Sequence, residues 1–202
     1  MISKLLLIVS LTLTIIPYIL LLITYISSKK EKKITASENI LKILENDSSI
    51  NFIENKESIF SHYNIKRKMI KLSSKTYDSK TIFSIAVSSL LAGFSLINNK
   101  LINYLSYIIN KLKIITILPI IAIILSIYVH TIADAKIAMF IIIILAVIEY
   151  IINYLITLAI NNINIKDKDI SKILNIFILN TKIYFIAVLI QILRLFLIIL
   201  NI

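Results

Sequence analysis

The sequence predicts a mainly α-helical integral membrane protein with four spans and a small cytoplasmic helical unit containing short strands. Three observations carry this reading. Apolar runs at the N-terminus and through the C-terminal half reach or approach the roughly 20 residues that cross a bilayer. Charged residues avoid those runs and gather in the segments between them. The composition, 58% hydrophobic with a mean hydropathy of +0.92 and a single Gly, lies outside the usual range of soluble domains. Cys is absent, which excludes a disulfide framework, a thiolate nucleophile and any Cys-ligated zinc or iron–sulfur site. Twenty-two Lys and Arg against eleven Asp and Glu leave a net charge of +11. In a chain of this kind the basic excess reads first as orientation against anionic lipid, not as nucleic-acid binding.

The first run extends from Leu5 to Ile26 and makes residues 1–28 a signal-anchor span. It is too long for the apolar core of a cleavable signal peptide, and no small-x-small site follows it. Lys29, Lys30, Lys32 and Lys33 follow the run and only Lys4 precedes it. That bias places the N-terminus outside and residues 29–113 in the cytoplasm. Residues 114–202 hold three more runs, Ile114 to Val129, Ile137 to Ile160 and Ile183 to Ile202. The connector from Thr131 to Lys136 carries one acid and one cation and fits the outer side. The connector over 161–182 carries Lys166, Lys168, Lys172 and Lys182 against Asp167 and Asp169 and fits the cytoplasmic side. The expected location is therefore the cell membrane, multi-pass, with both termini outside.

Within residues 29–113, Thr35-Ala36-Ser37-Glu38 reads as a capping box that opens a short helix. Ile40, Leu41, Ile43 and Leu44 would line one side of it. From Asn51 to Ser73 the chain is turn- and strand-like, with Met69 to Leu72 the best strand candidate. Asp78 or Ser79 is the expected cap of a helix over 80–97, whose Ile82, Ile85, Ala86, Ser89, Leu90 and Gly93 follow helical spacing. Leu101, Leu105, Ile108, Ile109 and Leu112 fall at offsets 0, 4, 7, 8 and 11, a helical stripe over 101–112. That helix either lies in the headgroup plane or packs on the domain core.

A few polar residues stand out. Glu149 interrupts an apolar run, where an acid is costly unless paired. Arg194 lies at a comparable depth in the next span and is the expected partner. Gln191, three residues before Arg194 on the same helix face, would join that polar patch. A proton or ion relay through Glu149 is the rival reading. Lys66, Arg67, Lys68 and Lys71 form a basic cluster with no aromatic stacking platform, so it reads as a solvated face near lipid and not as a nucleic-acid site. Tyr104, Tyr107, Tyr150, Tyr154 and Tyr184 read as interface anchors or packing. One Gly cannot build a phosphate loop, and Ser88 and Ser89 have no nearby His and Asp to make a serine hydrolase.

The order of several short motifs resembles a family. Ser61-His62-Tyr63-Asn64, Ile70-Lys71-Leu72-Ser73 and Tyr77-Asp78-Ser79 resemble the D-H-Y-D-P, V-x-L-S and Y-x-S segments of the bacterial, membrane-embedded neutral zinc metallopeptidases. Thr35-Ala36-Ser37-Glu38 looks like the T-G-A-E that opens their first cytoplasmic helix. Ile148-Glu149-Tyr150 is similar to their V-E-F, and Tyr184 to Arg194 to their closing Y-x-A-A and L-L-Q-L-L-R run. The resemblance implies one N-terminal anchor, one cytoplasmic domain, three later spans and a zinc site that the V-E-F acid completes. In that family the helix after Y-x-S carries H-E-x-G-H, which pairs two imidazoles for zinc around a Glu that activates water.

Here the corresponding residues are Leu90-Leu91-Ala92-Gly93-Phe94. The Gly persists, but Leu90, Leu91 and Phe94 offer no lone pair to a cation. His62 and His130 are the only histidines; His62 occupies the H-Y position, outside the metal triad, and His130 falls on the opposite side of the bilayer. Asn64-Ile65 also replaces the family's Asp-Pro. The expectation is a pseudoprotease with no catalytic residue, no bound zinc or other cofactor, and a vestigial ligand position at Glu149. Its expected partners are the lipid bilayer and an unidentified membrane or cytoplasmic protein. Two alternatives remain: an active metallopeptidase with an unusual metal site, and a small carrier or channel component using Glu149 and Arg194.

Overall fold

The computed structural model describes residues 2–45, 49–56, 61–64, 67–97 and 118–200. They form two compact units. The first contains Met1–Leu21, Lys113–Asn153 and Leu179–Ile202; the second contains Leu22–Leu112 and Tyr154–Ile178. The expected helix over 101–112 and Lys66 of the basic cluster lie outside the described residues.

Among the described residues three helices are long and apolar enough to cross a membrane: α1 (Ile2–Ser27), α6 (Ile132–Asn161) and α7 (Lys168–Ile199). A helical membrane protein follows from their length and composition. The expected run from Ile114 to Val129 contributes a shorter apolar helix, α5 (Leu118–Ile127), among the described residues. α5 ends at Ile127, and a separate cap opens the next helix. The Thr131 amide donates to the Asp134 carboxylate at 2.9 Å and the Asp134 amide to the Thr131 hydroxyl at 3.1 Å. This reciprocal pair starts α6 five residues before the apolar run begins.

Most of the connector expected over 161–182 is helix. Asp167 accepts the Asp169 amide at 2.9 Å and the Ile170 amide at 3.4 Å, and so opens α7 at Lys168. Ile170, Ile173 and Leu174 then bury one side of its first turns. Apolar residues at helical spacing inside a lysine-rich stretch extend the helix far beyond its apolar run.

In the second unit, α2 (Ala36–Ile43) has both bonds of its capping box. The Glu38 amide meets the Thr35 hydroxyl at 3.2 Å, and the Thr35 amide meets the Glu38 carboxylate at 3.0 Å. Ile40 and Leu44 are buried, but Leu41 is 55% exposed, because it sits about 100° around the helix from Ile40. Three strands form a sheet in the order β1 (Asn51–Asn55), β3 (Met69–Ser73), β2 (His62–Asn64). β3 pairs parallel with β1 and antiparallel with β2, Ile70 lying opposite both Phe52 and Tyr63. As the central strand it buries Ile70 and Leu72 completely. A short helix, α3 (Ser74–Tyr77), leads to α4 (Ile82–Ser95).

Candidate functional site

α4 matches the predicted helix over 80–97, but its cap is Thr81 and not Asp78 or Ser79. The Ser84 amide donates to the Thr81 hydroxyl at 3.3 Å. Ser79 is occupied elsewhere: its carbonyl accepts the Ala36 amide at 2.9 Å, and its hydroxyl shares a 3.0 Å bond with that of Thr81.

Hydrocarbon covers α4 on two sides. Ile82, Ile85 and Ala86, joined by Leu90, pack against Ile163, Ile170, Ile173 and Leu174. Leu91 and Ala92, joined by Phe94, pack with Ile40, Leu44, Tyr63, Ile70 and Leu72. The three positions that would carry zinc ligands and a catalytic carboxylate are therefore part of two apolar cores. Leu90 joins one core, and Leu91 and Phe94 join the other. A zinc ion needs about three N, S or O ligands and an open position, and these side chains do not fit one. Among the described residues no three His, Asp or Glu side chains gather where they could hold a metal ion. His62 stands on β2 opposite Lys71, and His130 is exposed between α5 and α6.

Ser88 and Ser89 precede these positions on α4, and Ser95 follows them, its hydroxyl donating to the Ala92 carbonyl at 2.7 Å. The Ser88 and Ser89 hydroxyls both donate to the Ile85 carbonyl at 2.8 Å. Asn39 of α2 donates to the Ser89 hydroxyl at 2.9 Å and to the Ser88 hydroxyl at 3.3 Å. This buried contact ties α2 to α4 and supplies no nucleophile, since a serine whose proton serves a helix carbonyl has no base beside it. The sequence carried one sign of it, a polar residue inside the apolar stripe of α2.

At the end of the second unit, the Lys32 ammonium lies 2.9 Å from Asp167 and 3.0 Å from Asp169. The bond to Asp167 raises Lys32 above its ordinary range, and the same bond holds Asp167 below the usual carboxylate range. Charge counting placed these residues in separate segments and did not pair them.

In the first unit a line of polar residues runs down α7: Asn180, Tyr184, Gln191 and Arg194, at offsets 0, 4, 11 and 14. Helical spacing puts them on one stripe. Tyr184 meets Tyr18 of α1 edge-on at 6.0 Å, and the Ser10 hydroxyl of α1 donates to the Ala187 carbonyl at 3.1 Å. Thr181 donates to Asn153 of α6 at 3.1 Å, and the Tyr150 and Phe185 rings lie 5.9 Å apart.

The expected pair of Glu149 and Arg194 does not form. The Arg194 guanidinium donates to the Ser126 carbonyl at 2.8 Å, to the Ser126 hydroxyl at 2.7 Å and to the Ser3 hydroxyl at 3.3 Å. Ser126 donates in turn to the Gln191 side-chain oxygen. Arg194 and Gln191 thus share a patch whose hub is Ser126, the lone hydroxyl of α5. Glu149 is fully buried, and neither of its carboxyl oxygens meets a hydrogen-bond donor among the described residues. Equal depth along two helices does not ensure a pair, because the direction in which each side chain leaves its helix also decides.

Comparison of this chain with models of known protein families, with curated proteins and with solved structures finds no match.

Proposed function

We propose that this chain is a non-catalytic membrane protein with the layout of a neutral zinc metallopeptidase, a pseudoprotease that acts by binding or regulating another protein. The observation that supports it most is the packing of Leu90, Leu91 and Phe94 into apolar cores at the positions where that family's motif would bind zinc and activate water. Such a helix supports an architecture and offers no group for hydrolysis. In this reading the chain crosses the cell membrane four times, both termini lie outside, and residues 29–113 form the cytoplasmic unit that meets the partner. The lysines after α1 and around the start of α7 support that orientation.

The test is elemental analysis and peptide cleavage by the full-length protein purified in detergent. The expected result is no stoichiometric zinc and no proteolysis that a chelator abolishes, together with a reproducible protein partner recovered by in-cell crosslinking from residues 29–97. Stoichiometric zinc with chelator-sensitive cleavage overturns the reading in favour of an active peptidase. Failure of crosslinking to return any specific partner overturns the regulatory role.

A second reading is favoured by one observation, the buried and unpaired Glu149 within a candidate span. Ionisable residues inside a membrane mark ion pathways and proton relays. The second reading predicts ion or solute flux in liposomes that Glu149→Gln removes.

A further inference from the structure

The C-terminal end of α1, the start of α4 and the first turns of α7 enclose a cleft of about 240 Å³. All of its lining belongs to the second unit. Lys30 and Lys172 stand on its walls with Ser27 and Ser28, and Ile82 and Ile173 form a buried apolar floor.

The charge balance of the cleft is positive. Asp169 also lines it, but that carboxylate is held by Lys32, which takes Asp167 as well. Among the described residues neither Lys30 nor Lys172 has a carboxylate within the 4.0 Å of an ion pair. Lys32 spreads one positive charge over two carboxylates, and with the ammonium groups of Lys30 and Lys172 these five groups carry a net charge of +1. An anion is the complement of that field.

The hydroxyls are poised for a better acceptor. Ser27 donates to the Thr24 carbonyl at 3.1 Å and Ser28 to the Tyr25 carbonyl at 3.3 Å. O–H···O bonds cluster near about 2.7–2.8 Å, so both are long, and little is lost when either hydroxyl turns toward an incoming oxygen. The backbone beneath Lys30 is held in place: its carbonyl accepts the Ile82 amide at 3.2 Å, the Lys32 amide donates to the Lys80 carbonyl at 2.9 Å, and Glu31 bridges Thr81.

The level of the cleft along α1 narrows the class of anion. Just before it, Leu22, Ile23, Tyr25 and Ile26 are each more than half exposed on a helix long enough to span a bilayer. Just after it come Lys29, Lys30, Lys32 and Lys33. Where a span gives way to lysines is the depth of lipid phosphates.

We infer that this cleft is a phosphate-binding site at headgroup level, with Lys30 and Lys172 supplying charge and Ser27 and Ser28 supplying directed hydrogen bonds. Lysine serves such a site as a mobile point charge, and the isoleucine floor receives the first carbons of a lipid phosphodiester. The inference is independent of the proposed function, since no residue of the 90–94 segment takes part.

The test uses the full-length protein in neutral detergent, with its thermal midpoint followed against short-chain phosphatidylglycerol, short-chain phosphatidylcholine and inorganic phosphate. The expected result is a dose-dependent rise with phosphatidylglycerol and a weaker one with phosphatidylcholine, whose choline offsets the phosphate charge. Lys30→Gln and Lys172→Gln should each weaken phosphatidylglycerol binding by about 5-fold, from about 1 kcal/mol per lysine at an anionic surface. Lys30→Arg should keep it, and Lys136→Gln, far from the cleft in sequence and not among its lining residues, should leave it unchanged. Protection by inorganic phosphate with the same lysine dependence would identify free phosphate as the occupant; protection by the lipid alone would identify the headgroup. Equal binding of the two lipids, or glutamine variants that bind like the parent while keeping its unliganded midpoint, overturns the inference. An equal loss in Lys136→Gln overturns it too.

Discussion

Gly93 of α4 lies so close to Ala159 of α6 that a Cβ on the glycine would fall on the Ala159 carbonyl, 2.8 Å from its carbon and nearer still to its oxygen. The obstacle is backbone, so no rotamer change relieves it. Gly93→Ala should therefore destabilise the protein by about 1–3 kcal/mol, the usual cost of overpacking, although alanine favours a helix by about 1 kcal/mol over glycine. Ala159→Gly should not rescue it, because the carbonyl remains. Thermal unfolding of the single and double variants in detergent checks both statements.

Leu91 tests whether the 90–94 segment is core. Leu91→Ala should cost about 2–5 kcal/mol, as expected for a buried leucine among Ile40, Leu44, Ile70 and Leu72. Leu91→Glu should cost more, since the same hydrocarbon would surround an unpaired carboxylate. If position 91 were a solvent-lined cleft, the glutamate would be tolerated. Denaturant titration of both variants distinguishes the two cases.

Arg194 should couple to Ser126 and not to Glu149. A double-mutant cycle of Ser126→Ala with Arg194→Gln should give a coupling of about 0.6–1.7 kcal/mol, the range for hydrogen bonds between membrane helices. The cycle of Glu149→Gln with Arg194→Gln should be additive to within about 0.5 kcal/mol. Glu149→Gln alone should change stability by less than about 1 kcal/mol, because one unpartnered buried polar group replaces another of the same size. Unfolding in mixed micelles measures all three.

The Lys32 clamp sets a pH window. Asp167 is lowered in the folded protein, so its contribution is complete above the ordinary carboxylate range near pH 4 and fades as the pH falls below it. Lys32 is raised, so its contribution is complete below about pH 10.4 and fades as the pH rises beyond it. Between these limits the parent should unfold at a higher temperature than Lys32→Gln. The difference should close at both ends of the range, in melting curves taken from pH 3 to 11.

Local signals are legible in the sequence because a few neighbours decide them. The Thr35–Glu38 capping box and the strand at Met69 are examples, and both are found in place. The helix predicted over 80–97 is found as Ile82–Ser95, with its cap moved because Ser79 is bound to the start of α2. The polar residues of the long helices were visible, but their partners were not. Ser126 is a small hydroxyl in an apolar run, yet it holds both Arg194 and Gln191. Nothing along the chain marks Asp167 as the partner of Lys32, 135 residues away.

The sequence by itself determined that this is a helical membrane protein, because length, hydropathy and charge placement are sums over consecutive residues that no fold can alter. It also determined that positions 90, 91 and 94 carry hydrocarbon side chains. Only the tertiary structure decided where α7 begins, that Arg194 turns to Ser126 while Glu149 stays alone, and that Lys32 pairs with Asp167 and Asp169. Those outcomes depend on the direction in which each side chain leaves its helix and on which distant backbone it meets. Such relations are set by packing in three dimensions and are not written in the order of residues.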